Sequence, residues 1–367
     1  MWRKLVSIMR LDGFGPWPKT APLKARPAPE GSPLAEGTFS PNPGNLRMFS
    51  YVPPDLRPKA PLVVILHGCG QTAAGYDVGA GWCQLADEVG FAVLAAEQKA
   101  VNNPHTCFDW FNPEDIARGQ GEAGSIAAMI QTLVEAHRLD SARVFVTGLS
   151  AGGAMTAVML ATYPELFAGG AIIAGVAFGA AQNVRDALEA MRSAPLRAPQ
   201  QWGDAVRAAG DHKGPWPKIS IWHGALDASV NLNNAQASVA QWADLHGLSL
   251  ADARQESVQG ALRLRWSDKL EVYTLPLLGH GTPINSADLG RPGPFILEAG
   301  ISSSRHIAEF WGLAQIAAAK STPAPPAQRQ SALPQIEAAI LARPDPANAQ
   351  AESIIRRALK AAGLFRR

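Results

Sequence analysis

Long hydrophobic runs are missing from this 367-residue chain. None reaches the roughly 18 apolar residues that a membrane-spanning helix needs, so no transmembrane segment is expected. Arg3 and Lys4 make a basic start, but the apolar run before Arg10 is about five residues, short of the roughly 7–15 of a secretory leader. Residence in the cytoplasm is therefore the first expectation. Cysteine is scarce: Cys69, Cys83 and Cys107 are an odd, small set with no framework of bridges and no C-x-x-C metal pattern. Net charge is low as well, +2 overall, and it is uneven. Residues 1–27 carry +5 and residues 351–367 carry +4, which leaves −7 for residues 28–350. A nucleic-acid-binding domain concentrates positive charge on its folded core, so no nucleic acid partner is expected. Basic ends suit an anionic or interfacial surface instead. No internal repeat is evident.

Hydrophobic residues make up 47% of the chain, enough for one large α/β domain with appendages or two ordinary domains. Residues 1–44 are basic and rich in Pro and Gly, and read as an arm laid over the body or left mobile. The run Leu62-Val63-Val64-Ile65-Leu66, bounded by Pro61 and Gly68, suits a strand buried on both faces. Further strands are predicted at 46–52, 91–96, 144–147, 167–174 and 219–222, with a hairpin through 261–266 and 270–275. Helices are predicted at 82–89, 121–137, 154–163, 233–245 and 304–320. Alternation of this kind over 45–320 predicts an α/β domain with a mostly parallel central sheet and helices on both faces. Residues 180–217 read as an insertion with a helical stretch near 184–191. A Pro/Ala-rich linker at 321–350 and a short basic amphipathic helix at 351–367 complete the reading.

The apolar run 144–147 enters Gly148-Leu149-Ser150-Ala151-Gly152-Gly153, and a helical pattern follows. This is G-x-S-x-G between a strand and a helix, the setting of a nucleophile elbow. The serine must take a strained backbone there, and side chains at 148 or 152 would strike neighbouring backbone. An α/β-hydrolase places its nucleophile, acid and histidine in that chain order after successive late strands. Ser150, then Asp227 after 219–222, then His280 after 270–275 meet both conditions. Asp227 competes with a plain turn role, since Asp is common after strands. His280 competes with His223, His246 and His306, and is favoured by its place between Gly279 and Gly281. His223 reads as a structural neighbour of the acid loop. Two backbone N–H donors must face the substrate oxygen. One is that of Ala151; the other belongs to the loop 67–71, with Cys69 preferred and Gly68 and Gly70 as alternatives. The chemistry is acyl transfer through an acyl-enzyme, with no metal and no organic cofactor expected.

Several separated motifs together resemble the short-chain-length polyhydroxyalkanoate depolymerase esterases, α/β-hydrolases related to feruloyl and acetylxylan esterases. They are Leu66-His67-Gly68-Cys69-Gly70-Gln71, Cys107-Phe108-Asp109-Trp110-Phe111, Arg118-Gly119-Gln120-Gly121-Glu122, Gly148 to Gly153, Tyr163-Pro164-Glu165-Leu166-Phe167, Trp222-His223-Gly224 with Asp227, and Gly279-His280-Gly281. The likeness covers about residues 45–316. It implies the α/β-hydrolase fold, the triad Ser150, Asp227 and His280, an oxyanion donor at Cys69, and a cleft for a polyester or small ester substrate. Trp110 and Phe111, with Gly68, are implied as lining for that cleft, plain core packing being the other reading of Phe111. A bridge between Cys69 and Cys107 is implied where the compartment is oxidising. Cys83 reads as a buried free thiol. The resemblance points outside the cell while the missing leader points inside, and the basic tails suit contact with a polyester granule surface. Substrates in view are poly(3-hydroxybutyrate) or its oligomers, then feruloyl or acetyl sugar esters. A non-catalytic binding protein is the third reading, opposed by an intact Ser, Asp and His in order.

Overall fold

The computed structural model describes residues 31–313. Ten strands form one sheet: β1 (Ala35–Gly37), β2 (Arg47–Tyr51), β3 (Leu62–Leu66), β4 (Ala92–Glu97), β5 (Val144–Leu149), β6 (Gly169–Ile173), β7 (Lys218–Gly224), β8 (Arg254–Val258), β9 (Ala261–Trp266) and β10 (Leu270–Leu275). Their spatial order is β1-β2-β4-β3-β5-β6-β7-β10-β9-β8. The run from β4 to β10 is parallel throughout, and antiparallel pairs close both edges. A separate parallel pair joins β11 (Thr282–Ile284) to β12 (Ile296–Glu298).

The helices are α1 (Ala73–Ala80), α2 (Trp82–Val89), α3 (Pro113–Ile116), α4 (Gly121–His137), α5 (Ala151–Thr162), α6 (Val184–Arg192), α7 (Pro199–Arg207), α8 (Asn233–His246) and α9 (Ser303–Phe310). They cover the two faces unequally. Met129 of α4, Val158 of α5, Ala187 of α6, Trp202 of α7 and Trp242 of α8 share one core with Leu62, Val64 and Leu66. Tyr76 of α1, Trp82 of α2 and Ile307 of α9 share the other with Val63 and Ile65. Successive side chains of a strand point to opposite faces, so the uninterrupted apolar run of β3 feeds both cores. Each of its Leu, Val and Ile side chains contributes roughly 1.5–3 kcal/mol by full burial. The fold is that of an α/β-hydrolase.

The structure adds elements that periodicity did not predict. Ala73–Ala80 is built of Ala, Gly and a few larger residues without a polar face, and its start is set by Thr72, whose side chain accepts from Gly75 N at 3.0 Å. Within the predicted insertion, α7 goes unseen although its one proline is no obstacle: Pro199 occupies the first helical turn, where its missing N–H is no loss. Arg254–Val258 is polar and largely exposed, an edge strand defined by β9 rather than by an apolar pattern. Within the predicted arm, Ala35–Gly37 adds an edge strand to β2, and Gly44 N donates to Ser125 Oγ at 2.8 Å. The last helix ends at Phe310, before the predicted 320. The basic segment 1–30, the linker 321–350 and the helix expected at 351–367 lie outside the described residues. Among the described residues, no helix is long and apolar enough to cross a membrane.

Candidate active site

The carboxyl ends of β3, β5, β7 and β10 face one edge of the sheet, where ligands of open parallel sheets bind. Ser150 stands at the tip of β5 with φ 57° and ψ −116°, a conformation costly for a residue with a β-carbon. Its N–H donates to Ile173 O of β6 at 2.9 Å, which helps hold the turn. A β-carbon at 152 would land on the carbonyl oxygens of Leu66 and His67, and one at 148 on Gly152 and Leu66 O. Both glycines are therefore conditions of the turn. Helix α5 starts directly after the serine, so its first N–H groups and positive dipole end face the same point.

The serine hydroxyl donates to His280 Nε2 at 2.9 Å, and His280 Nδ1–H donates to Asp227 Oδ2 at 2.7 Å. Asp227 Oδ1 accepts from Ser229 N and Val230 N, both at 2.8 Å, which fixes the carboxylate's second oxygen. Backbone bonds from Ala225 N to Leu275 O and from Leu226 N to Leu278 O stitch the acid loop to the histidine loop. Burial alone would push the Asp227 carboxyl up; the charge and hydrogen bond of His280 outweigh it and hold Asp227 below the usual carboxylate range. His223 is buried, which pushes its imidazole down and keeps it neutral. Its Nε2–H donates to Val230 O at 2.8 Å and lies 3.4 Å from Asp227 Oδ2. The other competitors are engaged elsewhere, His246 with Pro217 O and His306 with Gln259.

Opposite the histidine lies the loop after β3. Gly68 N donates to Gln71 Oε1 at 2.8 Å, and Gly70 N to His105 O at 2.7 Å. Of the three donors considered for this loop, that leaves Cys69 N without a protein acceptor among the described residues. His67 anchors the loop, donating from Nδ1 to Gly68 O at 2.8 Å while Nε2 accepts Gln98 N at 3.1 Å. Cys69 and Cys107 are bonded through their sulfurs, with Cα atoms 4.2 Å apart. Cys83 is a buried free thiol. Closing a loop of 38 residues stabilises by about 2–4 kcal/mol, chiefly through the unfolded chain. Cys107→Ser should thus lower Tm by roughly 3–7 °C. It should also lower kcat more than it raises KM, because the loop carrying the donor loosens. An unchanged melting curve in non-reducing buffer would count against the bridge.

Behind the bridge, Gln98 Nε2 donates to Cys107 O at 3.1 Å and to Glu122 Oε1, and Asp109 N donates to Glu122 Oε2 at 2.9 Å. Burial, then the charges of Asp109 and Asp115, pushes the Glu122 carboxyl well above its usual range. Oxygens of Asp109, Asp115 and Glu122 lie within 4.8 Å of one another, a spacing a metal ion would accept, although each carboxylate already accepts a hydrogen bond within the protein. Trp110 is in the main core, and Phe111, half-buried, packs edge-on against it with ring centres 5.4 Å apart. Phe111 keeps more of its surface towards solvent than Trp110 does. Sequence reasoning missed Gln98, which offers no local signal, and Phe295, whose ring meets His280 edge-on at 5.6 Å.

Strand-tip serine, buried acid and histidine stand together at the carboxyl edge of the parallel sheet of an α/β-hydrolase, an arrangement with the geometry that acyl transfer requires. Comparison with known proteins narrows the class. The pattern described as "Esterase PHB depolymerase" matches residues 46–263, and the chain belongs to that family of ester hydrolases. Poly(3-hydroxyalkanoate) depolymerase C of Paucimonas lemoignei is 41% identical over 285 residues, covering 75% of this chain and 69% of that protein. An acetylxylan esterase of Coprinopsis cinerea is 34% identical over 276 residues, covering 72% and 73% respectively. Among solved structures, the acetyl xylan esterase from Aspergillus awamori superposes with a TM-score of 0.67 at 27% identity, over 77% of this chain and 99% of that one.

Proposed function

We propose that this esterase cleaves the ester bonds of short-chain poly(3-hydroxyalkanoate), poly(3-hydroxybutyrate) or its oligomers, through Ser150, His280 and Asp227. The observation that carries the mechanism is the unbroken hydrogen-bond chain from Ser150 Oγ through the imidazole to Asp227. Ser150 Oγ attacks the ester carbonyl carbon as its proton passes to His280 Nε2. The carbonyl oxygen becomes an oxyanion that the N–H groups of Ala151 and Cys69 stabilise. Collapse breaks the bond to the alcohol oxygen, which takes the proton from His280 and leaves. Water then repeats the sequence on the acyl-enzyme, the hydroxy acid departs and the serine hydroxyl is restored. Asp227 holds the imidazole with Nδ1 protonated and stabilises its cationic form.

Identity of 41% with a poly(3-hydroxyalkanoate) depolymerase favours the polyester. Similarity to acetylxylan esterases favours a second reading, a carbohydrate esterase removing acetyl or feruloyl groups with the same residues. Release of 3-hydroxybutyrate from amorphous poly(3-hydroxybutyrate), run beside acetylated xylan and a feruloyl sugar ester, separates the two. Polymer release that vanishes in Ser150→Ala is the expected result. Turnover of the sugar esters alone would replace the polyester with the second reading.

A further inference from the structure

Between β11 and β12 the chain makes a tight turn in which Gly293 and Ile296 exchange backbone hydrogen bonds at 3.1 and 2.9 Å. Pro294 and Phe295 are its corners. Phe295 has φ 61°, where the second corner of a turn ordinarily takes Gly or Asn. A bulky aromatic residue in that conformation costs stability. The turn delivers it to the candidate active site. Phe295 O accepts Thr282 N, the first residue of β11 and two positions after His280, at 2.8 Å, and Pro294 O accepts Gln71 Nε2 of the loop after β3 at 2.9 Å. A β-carbon at Gly281 would come within 2.7 Å of Phe295 O, so the glycine after the histidine is what lets the turn close against it. The half-buried ring then stands edge-on to the His280 imidazole, 79° from its plane.

We infer that Phe295 is a specificity-determining residue that forms the wall of the leaving-alcohol side of the cleft. The inference rests on the role given to His280 above. His280 Nε2 returns the proton to the departing alcohol oxygen, so the alcohol portion of the ester must lie beside the imidazole. The oxyanion donors, by contrast, hold the carbonyl oxygen. A ring packed on the imidazole therefore borders the alcohol group and leaves the acyl group largely untouched. Apolar contact of this size between wall and substrate is worth roughly tenfold or more in kcat/KM between substrates that fill it and those that do not.

Two ester series test this with the whole 367-residue chain. One keeps the butyryl group and varies the alcohol between methanol and benzyl alcohol; the other keeps p-nitrophenol and varies the acyl group between acetyl and butyryl. Phe295→Ala and Phe295→Gly should each lower the benzyl-to-methyl ratio of kcat/KM by roughly tenfold. The butyryl-to-acetyl ratio should stay within about twofold of the wild type, since the acyl side is not touched. Glycine suits the positive φ, so Phe295→Gly keeps the turn and separates loss of the ring from loss of the backbone conformation. A ratio that does not move with the alcohol, an acyl ratio that moves as much, or an equal loss on every ester would overturn the inference. Failure of the triad reading would be visible separately, as Ser150→Ala retaining wild-type turnover of p-nitrophenyl butyrate.

Discussion

Ser150→Ala should lower kcat on p-nitrophenyl butyrate by about 10⁶-fold, the scale seen when a serine nucleophile is removed from an intact triad. The substitution deletes one oxygen and no packing. The alanine would inherit the same φ and ψ, the same bond from its N–H to Ile173 O, and the same start to α5, so Tm should stay within about a degree or two. Among the described residues, the Ser150 hydroxyl makes one hydrogen bond, to His280 Nε2, and solvent replaces it. Any residual hydrolysis would come from the oxyanion donors and substrate positioning. Equal turnover by the variant, with folding intact, would mean that the chemistry lies elsewhere.

Asp227→Asn should cost about 10⁴-fold in kcat while leaving Tm nearly unchanged, as expected for a tautomer error at a triad acid. The carboxylate has two jobs on two oxygens. Oδ1 accepts Ser229 N and Val230 N, and an asparagine oxygen takes over that duty with the loop intact. Oδ2 accepts His280 Nδ1–H, and an amide NH₂ placed there donates instead. Nδ1 must then be bare and the proton moves to Nε2, where it points at Ser150 Oγ and leaves no base for the nucleophile. Asp227→Ala should behave differently, losing activity and also destabilising the 225–230 loop through two unpaired N–H groups. If the asparagine variant unfolds as readily as the alanine variant, the division of labour between the two oxygens is wrong.

Much of the scaffold was legible because local chemistry and burial agree. The runs 62–66 and 91–96 are apolar without interruption, and they became the parallel pair β3 and β4, buried between helices on both faces, with β5 parallel to β3 and β2 antiparallel to β4. The elbow was legible because Gly148 and Gly152 are demanded by close backbone contacts that arise within one strand–turn–helix unit and its neighbour β3. Elements without such agreement were not legible. Arg254–Val258 is a strand through its pairing partner, and α1 is a helix whose small residues carry no amphipathic signal. Phe295 was invisible for a stronger reason: a phenylalanine after Gly293-Pro294 carries no local mark of the imidazole it meets, 15 positions earlier in the chain.

The sequence by itself determined the chain order of Ser150, Asp227 and His280, the proposed nucleophile, acid and base, the glycines that let Ser150 stand on its turn, and the apolar runs that become the central strands. These depend on residue type and near-neighbour spacing, which short-range sterics and burial control. Tertiary structure decided the rest of the site. Ser150 and His280 are 130 positions apart, and Asp227 and His280 are 53 apart; only the parallel alignment of β5, β6, β7 and β10, with their carboxyl ends at one edge, brings them into hydrogen-bond range. The sequence already favours Cys69 as the loop's donor; what the fold adds is that the N–H groups of Gly68 and Gly70 are both engaged. Gln71 lies three positions from Gly68, but His105 comes from the loop after β4, and its carbonyl occupies Gly70 N only once β3 and β4 are paired.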